Sequence, residues 1–185
     1  MRKLRFEEIK STRPSLEQIE REGRFPIWVI AENIRSLFNV GSIFRTSDAA
    51  RVRKLLLTGF TGRPPRNEIS KTALGAEHSV PWAYAPRTVD VVEELKETGV
   101  KIVVLEHTDD SRDFKAVSYN FPLALVLGNE VDGVSDEVIA MADQAIEIPM
   151  FGVKQSLNVS VAYGIAVYEI LGQFLRGKTL RKAEN

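Results

Sequence analysis

Ile148-Pro149-Met150-Phe151-Gly152-Val153-Lys154-Gln155-Ser156-Leu157-Asn158-Val159-Ser160-Val161-Ala162 runs from a short apolar strand, through a flexible turn, into an apolar helix rich in small residues. Core packing asks only that such a junction bury its hydrophobes. It does not ask for Lys154, Gln155, Ser156 and Asn158 at the mouth of a helix, where the first N–H groups lack intrahelical partners and the dipole is positive. A polar cluster in that position can hold a ligand. Ser and Asn are also ordinary helix caps, so this segment by itself leaves both uses open.

Outward from the junction, apolar β-branched runs alternate with helical patterns. Strands are expected at Ile27–Ile30, Leu55–Thr58, Trp82–Tyr84, Ile102–Leu105, Leu123–Leu127 and Ala145–Ile148. Helices are expected over 40–50, 68–74 and 89–98, the last stopping at Gly99, a favoured helix terminator. Another is capped by Ser135, with Asp136 and Glu137 in its first turn, and a long final helix covers 157–175. Continuous apolar runs such as Leu123–Leu127 suit strands buried on both faces. The expected fold class is therefore α/β: a single domain with a mainly parallel sheet and helices on both faces. No linker or repeat divides the chain, and 185 residues suffice for one core but not for two of typical size. Residues 1–25 are polar and charged, an arm or short helix preceding a domain over 26–185.

Composition excludes several classes. A chain 44% hydrophobic and 27% charged is that of a soluble globular protein. It has no apolar run near the roughly 20 residues of a membrane span. Its first residues lack the apolar stretch of a secretory signal, so the cytoplasm is the expected compartment. Zero cysteines exclude disulfides, Cys-ligated zinc and Cys nucleophiles. His78 and His107 lack metal-ligand neighbours and read as loop residues, so no metal is expected. Net charge is zero but polarised. Arg45 to Lys71 holds seven Arg/Lys against two acids, whereas Asp90 to Glu147 holds fourteen acids against four bases. The stiff loop Gly62-Arg63-Pro64-Pro65-Arg66-Asn67 has little reason to be basic unless it meets phosphate.

Two further segments carry chemistry. Leu125-Val126-Leu127-Gly128-Asn129-Glu130-Val131-Asp132-Gly133-Val134-Ser135 places a glycine and a carboxylate at the end of a buried strand, where open α/β sheets bind ligands. Gly128 there permits close approach of backbone to a flat ligand. Ala31-Glu32-Asn33-Ile34-Arg35-Ser36-Leu37-Phe38-Asn39-Val40-Gly41-Ser42-Ile43-Phe44-Arg45-Thr46-Ser47-Asp48-Ala49 opens a helix on which Ser42, Arg45 and Asp48 share one face. Bland alternatives exist for each: Asn39 as a helix cap, Arg45 paired with Asp48, and Glu130 solvated on a tight turn.

In this order, the three segments resemble the sequence motifs of the SpoU (TrmH) family of ribose 2′-O-methyltransferases, in the SPOUT superfamily. The resemblance runs from about Trp28 to Leu175. It implies a C-terminal trefoil knot, against the general rule that chains are unknotted. It also implies S-adenosylmethionine held by backbone at Leu105, Gly128, Ile148 and Leu157, with Met150 in the same turn. Arg45 would contact the target nucleotide, Asn39 would help to position Arg45 or the substrate, and Glu130 would support the hydrogen bonds of the site. Ser156 and Asn158 match the family's Ser-Leu-Asn triplet. Because a guanidinium is effectively never deprotonated, Arg45 is expected to stabilise the developing alkoxide rather than act as a base. The implied substrate is tRNA or rRNA. The implied assembly is a homodimer, with the small-residue face Ala162, Gly164, Ala166 compatible with close packing. The alternative class is a catalytically idle RNA-binding or assembly factor of the same fold.

Overall fold

The computed structural model describes residues 1–183. Seven strands form one sheet: β1 (Phe25–Glu32), β2 (Val52–Thr58), β3 (Trp82–Ala85), β4 (Lys101–Leu105), β5 (Arg112–Asp113), β6 (Leu123–Leu127) and β7 (Gln144–Glu147). Their order is β3-β2-β1-β6-β4-β7-β5, and every pairing is parallel. Val29 of β1 sits in register with Leu55 of β2 on one side and Leu125 of β6 on the other.

The period of two sorts each strand between two cores. Leu123, Leu125 and Leu127 of β6 join one apolar cluster, while Ala124 and Val126 join the other. The first cluster is covered by α3 (Leu37–Ala49), α4 (Asn67–Ala73), α5 (Ala76–Ser79) and α8 (Val159–Ala183). The second is covered by α6 (Thr88–Glu97) and α7 (Asp136–Met141). Strands buried on both faces explain why the central ones read as unbroken apolar runs.

Several local expectations are corrected. Ser36, not Asn39, caps α3, accepting from Asn39 N at 3.4 Å. Ser135 stands at the N-cap position of α7 but its hydroxyl makes no capping bond; it donates instead to buried Glu32, at 2.9 Å. The last strand stops at Glu147, one residue before Ile148. The two-residue β5 and one-turn α5 are too short for periodicity to register. In the N-terminal region lie α1 (Phe6–Ser11) and α2 (Leu16–Glu22), with no buried residue in either. A reciprocal Ser15/Gln18 capping box starts α2, and Arg51 tethers it through Glu22 at 3.0 Å.

The last helix determines where the site lies. From the β7 end of the sheet the chain crosses back, so that α8 packs on α3 and β6. Tyr163 is fully buried there, its hydroxyl 2.8 Å from Ser47 Oγ of α3. Ala166 is fully buried in the same core, so Ala162, Gly164 and Ala166 do not form one free face. The exposed side of α8 carries larger apolar residues instead: Val161, Ile165 and Tyr168.

Candidate active site

The site is built at the carboxyl ends of the central strands. Beyond β6 the chain folds back on itself: Asn129 and Gly133 form an antiparallel bridge, and Asn129 Oδ1 accepts from Val131 N (2.8 Å) and Asp132 N (3.0 Å). A Cβ on Gly128 would fall 2.1 Å from the Gly133 carbonyl carbon. The glycine is thus required by its own loop, a different reason from the ligand approach read from sequence. Gly128→Ala should therefore destabilise the protein by about 1–3 kcal/mol through overpacking. Thermal unfolding would read this, and an unchanged midpoint would contradict it.

Asn158, Asn39 and Glu130, far apart in sequence, meet in one hydrogen-bonded relay. Asn158 Oδ1 accepts from Ser160 N (3.0 Å), capping α8, so its Nδ2 is the end that donates to Asn39 Oδ1 (3.0 Å). Asn39 Nδ2 must then donate onward, and it meets Glu130 Oε1 at 2.8 Å. Glu130 also accepts from Arg35 N (2.9 Å) and Ser36 N (3.1 Å). The direction of both amides is fixed, because backbone donors hold one end and a carboxylate, which only accepts, holds the other.

Burial works against the charged form of Glu130, but the bonds from Arg35, Asn39 and Ser36 outweigh it and lower its pKa. A depressed folded pKa contributes stability that is present above the ordinary carboxylate range and lost as pH falls through the folded value. The Asn39 side-chain amide resonances should therefore hold constant down to about pH 5 and move only below the usual glutamate value of about 4.3. A transition above that value would contradict the relay.

Beside the relay lies a pocket of about 470 Å³, lined by Leu105, Gly128, Ile148, Met150, Ser156 and Leu157, with Glu130 and Asn158 at its edge. Its size is that of a small-molecule site. Carboxylates of Glu106, Glu130, Asp132 and Glu147 also line it. This gathers part of the acidic middle of the chain around one cavity and suits a cationic ligand. Glu106 ties two of the loops together, accepting from Val134 N at 2.9 Å and His107 N at 2.8 Å. His107 is itself a lining residue, its Nδ1 3.2 Å from Glu147 Oε2. Sequence reasoning passed over Glu106, although its place directly after the apolar run of β4 marks it as a strand-end residue. Buried Glu32 and Asn129 stand within the motif segments but received no role from sequence, because nothing in periodicity marks them as buried.

Arg45 stands elsewhere. It is exposed on α3, lines no part of the pocket and has no ion-pair partner among the described residues, since Asp48 accepts from Ser79 Oγ instead. No cluster of metal-ligating side chains occurs among the described residues. No described helix is long and apolar enough to cross a membrane.

A sequence model of the SpoU rRNA Methylase family matches residues 26–168. A tRNA (guanosine(18)-2'-O)-methyltransferase of Thermus thermophilus is 37% identical over 174 residues, covering 92% of this chain and 87% of that protein. The crystal structure of the Aquifex aeolicus TrmH/SpoU tRNA modifying enzyme superposes with a TM-score of 0.79 at 34% identity, over 88% of this chain and 84% of that one. The AdoMet-bound rRNA methyltransferase from Sinorhizobium meliloti superposes with a TM-score of 0.73 at 32% identity, over 77% of this chain and 54% of that one.

Proposed function

The chain belongs to the SpoU rRNA Methylase family, and on that premise we propose that it methylates a ribose 2′-hydroxyl of tRNA, using S-adenosylmethionine and the relay residues named above. The observation that carries this reading is the Asn158–Asn39–Glu130 relay, which joins the three motif segments beside one acid-lined pocket. The pocket suits the methyl donor: its volume is adequate and its carboxylates complement a positive charge. When bound there, S-adenosylmethionine supplies a methyl group on a sulfonium, a leaving group that needs no further activation.

The work left to the protein is orientation and charge stabilisation. Leu105, Gly128, Ile148, Met150 and Leu157, which line the pocket, would hold the cofactor. Ser156 and Asn158 border the place where the two substrates meet. Asn158 is held by its own helix and, through Asn39, by Glu130, so the α8 turn cannot drift from α3. Arg45 offers a planar, permanently charged fork to phosphate and to the alkoxide that develops on the ribose. With the methyl donor held there, Arg45 would stabilise the charge developing on the 2′-oxygen as its proton left to solvent or a substrate phosphate, and the sulfonium would supply the methyl group.

Arg45 does not reach the pocket of its own chain, which supports a homodimer in which each subunit presents Arg45 to its partner's cofactor. The exposed stripe Val161, Ile165 and Tyr168 on α8 supplies an apolar surface for that pairing. The return of the chain from β7 to β6 and α3 supports the trefoil knot, with α8 threaded behind the loop that precedes it. Residues 26–185 then form the catalytic unit and 1–25 a charged arm, and a tRNA substrate supports the cytoplasm as its compartment. No feature of the geometry favours the idle alternative. Mapping ribose methylation in RNA from cells with and without this protein tests the assignment. A methylated tRNA position that disappears with the protein is expected; loss confined to rRNA would move the substrate to the ribosome.

A further inference from the structure

The loop Gly59-Phe60-Thr61-Gly62-Arg63-Pro64-Pro65-Arg66, between β2 and α4, belongs neither to the methyl-donor pocket nor to the relay. It holds two guanidinium groups and no carboxylate. With Tyr84 of β3 it encloses a second recess of about 390 Å³. Phe60 is 62% exposed beside this recess, a costly place for an aromatic ring with nothing to cover it. The guanidinium of Arg63 lies 4.0 Å from the Tyr84 ring centroid, a close cation–π stack. Neither Arg63 nor Arg66 has an acidic partner among the described residues, so their N–H edges are open to a ligand. The expectation from sequence, a phosphate contact by both arginines, accounts for the charge but not for the two aromatic rings.

The recess is fastened to the methyl-donor pocket. Asn129, which lines that pocket, donates through Nδ2 to Asn33 O at 2.7 Å, and Asn33 Oδ1 accepts from Phe60 N at 3.1 Å. Asn33 makes this span with a left-handed backbone (φ 54°), and Gly59 beside it has no room for a Cβ, which would lie 1.9 Å from Asn33 Oδ1. Tyr84 is held in turn, its hydroxyl donating to Gly59 O at 2.9 Å. The loop backbone, Tyr84 and the pocket are thus joined by one chain of hydrogen bonds. Single-stranded RNA offers what this surface lacks: flat bases for rings and guanidinium planes, and phosphates for arginine edges.

We propose that the recess binds one unpaired nucleotide of the RNA substrate near the methylated residue, its base stacked on Phe60 and the outer face of Arg63, its phosphate held by Arg66. This rests on the RNA methyltransferase reading above and adds to it a place where the substrate is gripped away from the reacting atoms.

The test is methyl transfer to unfractionated tRNA, combined with binding of a fluorescein-labelled dodecauridylate. Phe60→Ala should raise KM for tRNA about tenfold, as loss of one stacked base implies, with kcat within about twofold of the parent. S-adenosylmethionine affinity, read by calorimetry, should not move, which also reports that the fold is intact. Phe60→Trp should restore KM and Phe60→Leu should not, separating stacking from simple filling. Arg63→Ala should weaken dodecauridylate binding. An unchanged KM in Phe60→Ala, rescue by Leu as complete as by Trp, or a changed oligomeric state in sedimentation would overturn the proposal, the last by showing that this face pairs copies of the chain. If the parent methylates no RNA, the enzyme reading fails by itself. Dodecauridylate affinity of Phe60→Ala against the parent then decides the recess independently: weaker binding supports it and equal binding overturns it.

Discussion

Arg45→Ala should lower kcat for ribose methylation by about 10²–10³-fold, the loss typical when one preorganised donor to a developing oxyanion is removed. Cofactor affinity should stay at the parent value, because Arg45 lines no part of the methyl-donor pocket. Stability should change little as well. The side chain is exposed and unpaired among the described residues, and surface substitutions of that kind lie within about 0.5 kcal/mol. Arg45→Lys should be nearly as poor as alanine, since a point charge does not reproduce the planar fork that grips phosphate. Single-turnover methyl transfer and calorimetry on the same preparations separate the two effects. Loss of cofactor binding together with activity would remove Arg45 from the RNA side of the reaction.

The second large effect concerns the relay. Asn39→Ala removes the amide that joins Glu130 to Asn158, and Asn158→Ala removes both the cap of α8 and the link to α3. Each should cost about 10²-fold in kcat, the scale on which a misplacement of about 1 Å is felt. Groups that act as a unit fail together, so the double variant should be hardly slower than either single one. Losses that multiply across the cycle would show two independent contributions and contradict the relay.

The sheet was legible because its central strands are buried on both faces and so carry uninterrupted apolar residues, as in Leu123–Leu127. The helices were legible from their punctuation, such as Gly99 after α6. What composition hid was the reason for particular residues. Asn39 looked like a cap, yet Ser36 takes that role and frees the Asn39 amide for Glu130 and Asn158. Gly128 looked like a place for a ligand, whereas it first makes room for Gly133. Both cases turn on contacts between distant segments, which local pattern does not encode. The crossing of α8 back to α3 belongs to the same kind, since neither its length nor its apolar residues say which strand it covers. Of the candidate site, the motif residues at Asn39, Glu130, Ser156 and Asn158 do converge, while Arg45 stays apart within one chain.

The most direct test of the central claim is transfer of a tritiated methyl group from S-adenosylmethionine to unfractionated tRNA, followed by alkaline hydrolysis of the RNA. Alkali cleaves RNA through the free 2′-hydroxyl, so a methylated ribose survives as an uncut dinucleotide. The account requires the tritium to be recovered in alkali-stable dinucleotides, and to enter them about 10²–10³-fold more slowly in Arg45→Ala. Tritium in ordinary mononucleotides would mean that a base is methylated, and no incorporation above the blank would mean that this protein does not transfer methyl groups to tRNA.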